Sequence, residues 1–204
     1  DCIVYEGDIN KYWLNSIQHG SSKAPFSPTW IMSGYVGSLL AKELGYSQVI
    51  DIGSGDGRIA FCAKVLGLES FSIEIDDMLV ELQNLLTSIL DFHPYCSDAV
   101  TFDYASLNLT RPAFFIGGLA QMGGISLASG VLKSIQHVSS LEKKTGWMFA
   151  GTLSQKYAPD PKNEAGWGTL IEDHHLKSTL AISLPTAWTF HESDETRYIF
   201  AESV

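Results

Sequence analysis

The stretch from Val49 to Asp76 constrains this chain most. It reads Val-Ile-Asp-Ile-Gly-Ser-Gly-Asp-Gly-Arg, continues through an apolar helical run, and ends in Phe-Ser-Ile-Glu-Ile-Asp. The pattern predicts a buried strand, a tight glycine turn, a helix and a second strand ending in a carboxylate. That is one β-α-β unit with a ligand site at its mouth. Gly53, Gly55 and Gly57 alternate, and their missing Cβ atoms let the chain turn sharply and approach a ligand closely. The helix that follows is expected to point unpaired N–H groups into the same space.

Charge bears on which ligand the turn suits. A dinucleotide site wants a glycine or alanine three positions after the second glycine and no acid near the pyrophosphate. Here that position is Arg58, and Asp51 and Asp56 flank the turn. Two carboxylates repel a pyrophosphate but suit a ligand carrying an ammonium and a sulfonium. S-adenosylmethionine is such a ligand, and its carboxylate could take the helix N-terminus. Glu74 closes the second strand, placed to accept hydrogen bonds from both ribose hydroxyls. Charge-assisted bonds of this kind contribute about 1.5–3 kcal/mol each.

At these residues the chain resembles the class I S-adenosylmethionine-dependent methyltransferases. Asp51-Ile52-Gly53-Ser54-Gly55-Asp56-Gly57-Arg58 is similar to their first motif, and Phe71 to Asp76 to their second strand with its ribose-binding acid. The resemblance implies a Rossmann-like α/β fold: a mostly parallel seven-stranded sheet with an antiparallel last strand and helices on both faces. It implies cofactor contacts from Asp51, Gly53, Ser54, Gly55, Gly57, Glu74 and Ile75. At the end of the third strand it implies Asp98 and Ala99 near the adenine, with Asp103 as a weaker rival; the alternative for Asp98 is an ordinary turn carboxylate.

After the fourth strand, methyltransferases of base amines commonly carry Asn/Asp-Pro-Pro-aromatic, where this chain has Gly117-Gly118-Leu119-Ala120-Gln121-Met122. The chain is more similar to a group of small enzymes that includes microbial and mitochondrial lysine methyltransferases. Pro25-Phe26-Ser27-Pro28-Thr29, the Gly-Ser-Gly-Asp-Gly-Arg loop and Ala120-Gln121-Met122 carry that likeness. It implies an amine acceptor, with Gln121 orienting the acceptor nitrogen and Trp30 walling the pocket. Phe26, Thr29 and Tyr35 are further wall candidates, although Trp30 and Tyr35 read more simply as core aromatics.

Composition sets the outer bounds. The 204 residues carry 13 basic and 23 acidic side chains, a net charge of −10, which disfavours nucleic acid and anionic membrane surfaces. Cys2, Cys62 and Cys96 lack metal-ligand spacing and suggest reduced thiols in a cytoplasmic protein, Cys62 and Cys96 as core residues. No signal peptide is recognisable at the start, and no metal site is expected. Pro112 to Leu132 carries no charge, but its glycines and the break at Gly123-Gly124 favour a buried strand, loop and helix over a membrane span.

Along the chain, Asp8 to His19 is expected to form a first helix and Ser27-Pro28 to open a second. Trp30, Ile31, Val36, Leu39, Leu40 and Leu44 form its apolar face, and Gly45 stops it. Residues 1–44 thus read as an N-terminal helical cap and 45–204 as one cofactor-binding domain. Strands are expected near Gln48–Ile52, Ser70–Ile75, Tyr95–Ser97, Ala113–Ile116 and Gly146–Leu153. Helices are expected near Gly57–Leu66 and Asp77–Leu90, and through Leu132 and Ile135. Tyr157 to His175 reads as a long loop beside the substrate side, which Tyr157 and Trp167 either line or pin. Lys177 onward and Arg197–Ala201 form a terminal hairpin. His174-His175 reads as a solvated pair whose side chains point apart.

The expected function is methyl transfer to an amine, a protein lysine or a small molecule, with S-adenosylmethionine as cofactor. Two other readings stand beside it. One is an aminopropyltransferase, which wants more acids than the sequence offers; the other is a cofactor-binding scaffold without turnover.

Overall fold

The computed structural model describes residues 28–117, 125–138, 141, 145–150, 167–188 and 193–203. Its strands are β1 Gln48–Ile52, β2 Glu69–Glu74, β3 His93–Cys96, β4 Pro112–Gly117, β5 Gly146–Ala150, β6 Leu176–Trp188 and β7 Ser193–Ser203. The helices are α1 Ile31–Glu43, α2 Arg58–Val65, α3 Asp77–Thr87, α4 Ile125–Gln136 and α5 Gly168–Asp173. The strands form one sheet in the order β3-β2-β1-β4-β5-β7-β6. The first five run parallel, and β7 runs antiparallel between β5 and β6. This is the expected seven-stranded arrangement.

Strand β1 is buried along its whole length, as a central parallel strand covered on both faces must be. Ile50 and Ile52 point to one face with Phe114, Ile116, Trp147 and Phe149, where Val131, Leu132 and Ile135 of α4 cover them. Val49 points to the other face with Ala113, Phe115, Met148 and Phe200. Full burial of each such side chain contributes about 1.5–3 kcal/mol. Because β1 lies between β2 and β4, the chain leaves it in one direction and returns on the other side. The crevice at such a reversal is where open α/β sheets hold ligands.

Several expectations need correction. Helix α1 begins at Ile31, not Pro28, and buries its small residues Ser33, Gly34, Gly37, Ser38 and Ala41. Its larger apolar residues Val36, Leu39, Leu40 and Leu44 are only half-buried. The cause is close approach: a Cβ on Gly37 would lie 2.3 Å from Met148 Cε and 2.9 Å from Phe115 Cε1. The stretch expected as a long loop contains α5, which buries Leu170 and Ile171 in the core. Trp167 just before it stacks on Phe149 at 5.0 Å and donates to the Ala150 carbonyl at 2.9 Å, so it pins the segment. Cys62 is buried as expected, but Cys96 is exposed, since it ends the edge strand β3. The proposed first helix, Cys2, Phe26 and Tyr157 lie outside the described residues.

The charge-free stretch divides into β4 and the start of α4. No described helix is long and apolar enough to cross a membrane.

Candidate functional site

The glycine turn follows β1 at the end of the sheet where parallel strands finish. Gly53, Gly55 and Gly57 all adopt left-handed φ, at 68°, 57° and 80°, a region that costs other residues roughly 1 kcal/mol or more. Two N–H groups, of Gly53 and Ser54, converge on the Ile73 carbonyl at 2.9 and 3.3 Å. The turn is thereby tied to β2, and α2 starts immediately after it with Phe61 N–H donating to Gly57 O at 2.8 Å.

Glu74 stands where the sequence puts it and does more than expected. Only 8% exposed, its Oε2 accepts the Gly55 N–H at 2.9 Å and its Oε1 accepts the Asp76 N–H at 3.0 Å. A carboxylate offers about four acceptor positions, so these two bonds leave about two unused. The acid is therefore oriented by backbone before any ligand arrives. Asp76 in turn caps α3, accepting from Met78 and Leu79 N–H.

Gln83 is a functional residue the sequence reading missed. Its side chain is fully buried; Nε2 donates to Ser54 Oγ at 2.9 Å and to Gly55 O at 2.7 Å, and Oε1 accepts from Ser72 Oγ at 2.5 Å. One amide on α3 thus clamps the turn to β2. A Cβ on Gly57 would sit 3.0 Å from Gln83 Cγ, so Gly57 is needed for both its conformation and its size. The available signal was small: Gln83 is a polar residue on the face it shares with Leu79, Val80 and Leu86.

Asp56 has a different role from the one expected. Its buried carboxylate accepts from Arg58 Nε at 2.9 Å and from Arg58 Nη2 at 2.5 Å. Asp56 Oδ1 also accepts the Arg58 backbone N–H at 3.3 Å. The acid is therefore paired with its own arginine. Arg58 Nη1 reaches on to the Thr29 carbonyl, which fastens the segment before α1 onto the turn. One helix N–H expected to face a ligand is taken by Asp56. The backbone of Ala60 engages another acid, Asp51.

Asp51 is the unsatisfied group of the site. It is buried, and its Oδ2 has no hydrogen-bond partner. Burial pushes its proton affinity well above the ordinary carboxylate range, the charges of Glu74 and Asp56 push the same way, and the Ala60 backbone hydrogen bond opposes them. A buried acceptor of this kind costs free energy unless something binds it. A ligand cation would satisfy it.

The remaining expected residues are less closely assembled. Ile75 is 51% exposed at the mouth of the turn. Ser97 N–H donates to Glu74 O at 2.9 Å, which brings the end of β3 beside that of β2. Asp98 is exposed and its Oδ1 accepts the Val100 N–H at 2.8 Å, the turn arrangement held open as its alternative. Ala99 beside it is half-buried and accepts from the Tyr104 hydroxyl at 2.7 Å. Asp103 caps the short helix Tyr104–Ser106. Trp30 is half-buried at the start of α1, where its carbonyl accepts from Ser33 and Gly34 N–H. Gln121 lies outside the described residues.

Of the pair expected to be solvated, His175 is exposed but His174 is only 7% exposed. Both residues line one cavity, and His175 has a left-handed φ of 53°.

No protein-family model matches the sequence, and the sequence of no curated protein matches it. Solved structures do match its three-dimensional form. A candidate RNA methyltransferase from Pyrococcus horikoshii superposes with a TM-score of 0.61 over 98% of this chain and 100% of its own, at 14% identity. The fold is that of class I methyltransferases. The magnesium protoporphyrin IX methyltransferase of Synechocystis, solved with bound S-adenosylmethionine, gives 0.59 over 97% of this chain and 92% of its own at 11% identity. A glycopeptide N-methyltransferase gives 0.60 over 84% and 96% at 13% identity. At these identities the likeness is one of fold, and the three named acceptors have little in common.

Proposed function

We propose that this protein is an S-adenosylmethionine-dependent methyltransferase acting on an amine, with a protein lysine as the preferred acceptor. The observation that carries the cofactor is Asp51: a buried carboxylate with an unpartnered oxygen, beside a left-handed glycine turn and beneath a pre-oriented Glu74. Such a set fits a ligand with a cationic amino group and a ribose diol. It fits a pyrophosphate poorly, because Asp51 beside the turn would repel it and Arg58 stands where a dinucleotide site carries glycine or alanine. The solved S-adenosylmethionine complex of the same fold supports the reading.

When bound, the cofactor supplies an electrophilic methyl group on sulfur. The chain's residues then have to hold and align. Asp51 would take the ammonium through Oδ2, Glu74 the ribose, and Ile75 the adenine face, with Asp98 at its edge. Ser54 supports the loop through Gln83. Alignment of donor and acceptor can contribute several kcal/mol, up to about 7–11 in favourable cases.

A lysine must be neutral to attack, which an aromatic wall favours by desolvation. Trp30 is suited to that wall because Arg58 anchors the adjacent Thr29 to the turn. Gln121 would orient the nitrogen through its amide oxygen. The net charge of −10 favours a basic protein segment over RNA. Residues 1–44 would act as the cap over this side.

Transfer of radiolabelled methyl from S-adenosylmethionine into cell lysate tests the proposal. Label in a protein band, recovered as methyl-lysine after hydrolysis, supports it. Label confined to small molecules replaces the lysine with a metabolite amine, and no transfer in the presence of tight cofactor binding leaves a scaffold.

A further inference from the structure

Polar groups converge a second time at the opposite edge of the sheet. Gly146, the first residue of β5, pairs with Glu202, and Leu176, the first of β6, pairs with Ser203. A cavity of about 480 Å³ opens there, lined by Ser129, Lys133 and Gln136 of α4 and by Asp173, His174 and His175. The three α4 residues are spaced by four and three positions and so share one face of the helix.

Hydrogen bonding fixes the state of His174. Gln136 Nε2 donates to the His174 carbonyl at 3.2 Å, which orients the amide so that its Oε1 faces His174 Nδ1 at 2.9 Å. Nδ1 must then carry the proton. His174 Nε2 is left as an acceptor, and Ser129 Oγ, 2.8 Å away, must donate to it. A serine hydroxyl aimed at an imidazole lone pair, with the far nitrogen held by a third group, is the arrangement of an activated nucleophile.

The surroundings keep that ring neutral. Burial lowers the proton affinity of His174, the Lys133 charge and His175 lower it further, and Asp173 opposes them. His175, at φ 53°, is the left-handed residue that stops α5, its N–H donating to the Glu172 carbonyl at 3.1 Å. That helix end sets His174 against α4, where its ring meets Ser129 and Gln136 beside the cavity.

We propose that Ser129, His174 and Gln136 form a second reactive site that cleaves small anionic esters. Ser129 Oγ bonds to the ester carbonyl carbon as its proton passes to His174 Nε2. The carbonyl carbon–alkoxy oxygen bond then breaks, and the departing alcohol takes that proton. Water, deprotonated by the same nitrogen, hydrolyses the acyl-serine, releasing the carboxylic acid and restoring the hydroxyl. Gln136 is a positioning residue that keeps the tautomer. Lys133 and His175 select an anionic group on the substrate.

The test uses the full chain, a fluorophosphonate probe and the 4-nitrophenyl half-ester of succinate. The expected result is one adduct per chain at Ser129 by peptide mass spectrometry, absent in Ser129→Ala. Nitrophenol release should run about 10²-fold or more above that variant and fall on acidification as His174 takes a proton. Gln136→Leu should lower kcat with KM unchanged, and Gln136→Glu should restore it. An unlabelled wild-type chain, or equal nitrophenol release from wild type and Ser129→Ala, overturns the proposal. Neither result depends on methyl transfer, so the two readings stand or fall separately.

Discussion

Glu74 Oε2 accepts the Gly55 N–H at 2.9 Å, so the acid that faces the ligand space is also a strut of the glycine turn. Its two roles separate in the choice of variant. Glu74→Gln retains one acceptor oxygen but sets an NH₂ against a backbone N–H; Glu74→Ala removes both acceptors. Each is expected to weaken S-adenosylmethionine binding by about 1.5–3 kcal/mol, or roughly ten- to a hundredfold, and Glu74→Ala should also lower the melting temperature more. Calorimetric titration of folded variants checks this, and unchanged affinity would remove Glu74 from the site.

Asp51 predicts a pH dependence of unusual sign. Its folded-state proton affinity is raised above the ordinary value of 3.8, so in the interval above that value the folded chain binds more protons than the unfolded one. Stability then falls as pH rises through the interval, the reverse of an ion-paired carboxylate. Asp51→Asn removes this dependence. The variant should melt higher than wild type at pH 7 without ligand and bind S-adenosylmethionine more weakly. Melting curves of the two proteins between pH 4 and 8 that run parallel would show that Asp51 is not held unsatisfied.

The clamp made by Gln83 should be costly to lose. Gln83→Leu keeps nearly the same shape but leaves Ser72 Oγ, Ser54 Oγ and Gly55 O without their amide partner. A loss of about 1–3 kcal/mol in urea unfolding is expected, with weaker cofactor binding because the turn loosens. Unfolding midpoints equal to wild type would mean that the turn holds itself.

Breaking the Asp56–Arg58 pair tests the connection between the turn and the segment before α1. Arg58→Met leaves the Asp56 carboxylate buried and uncompensated, which costs about 3–5 kcal/mol. At roughly 2–4 °C per kcal/mol for a chain of this size, the melting temperature should fall by about 10 °C. Replacing Asp56 by Leu in the same chain should recover much of it. A single variant as stable as wild type would contradict the pairing.

How far the sequence revealed this protein depends on which physical rule governed each part. The unit from β1 to β2 was legible because apolar runs, alternate glycines and a strand-end acid act locally and agree. The face of α1 was not, since close packing against Met148 and Phe115 selects small residues and inverts the usual apolar stripe. Helix α5 was hidden by the prolines and glycines upstream of it. The roles of Gln83 and Arg58 were not legible because their partners are set by the turn's three-dimensional path. The burial of His174 was hidden because the groups that hold it, Ser129 and Gln136, are distant in the sequence.

The most direct measurement is calorimetric titration of the purified protein with S-adenosylmethionine, S-adenosylhomocysteine and NAD in parallel. Micromolar binding of the two sulfur ligands, with S-adenosylmethionine bound more weakly by Asp51→Asn and no NAD binding, is the predicted result. Binding of NAD, or of neither sulfur ligand, would contradict the account and leave the glycine turn as a structural feature of the fold.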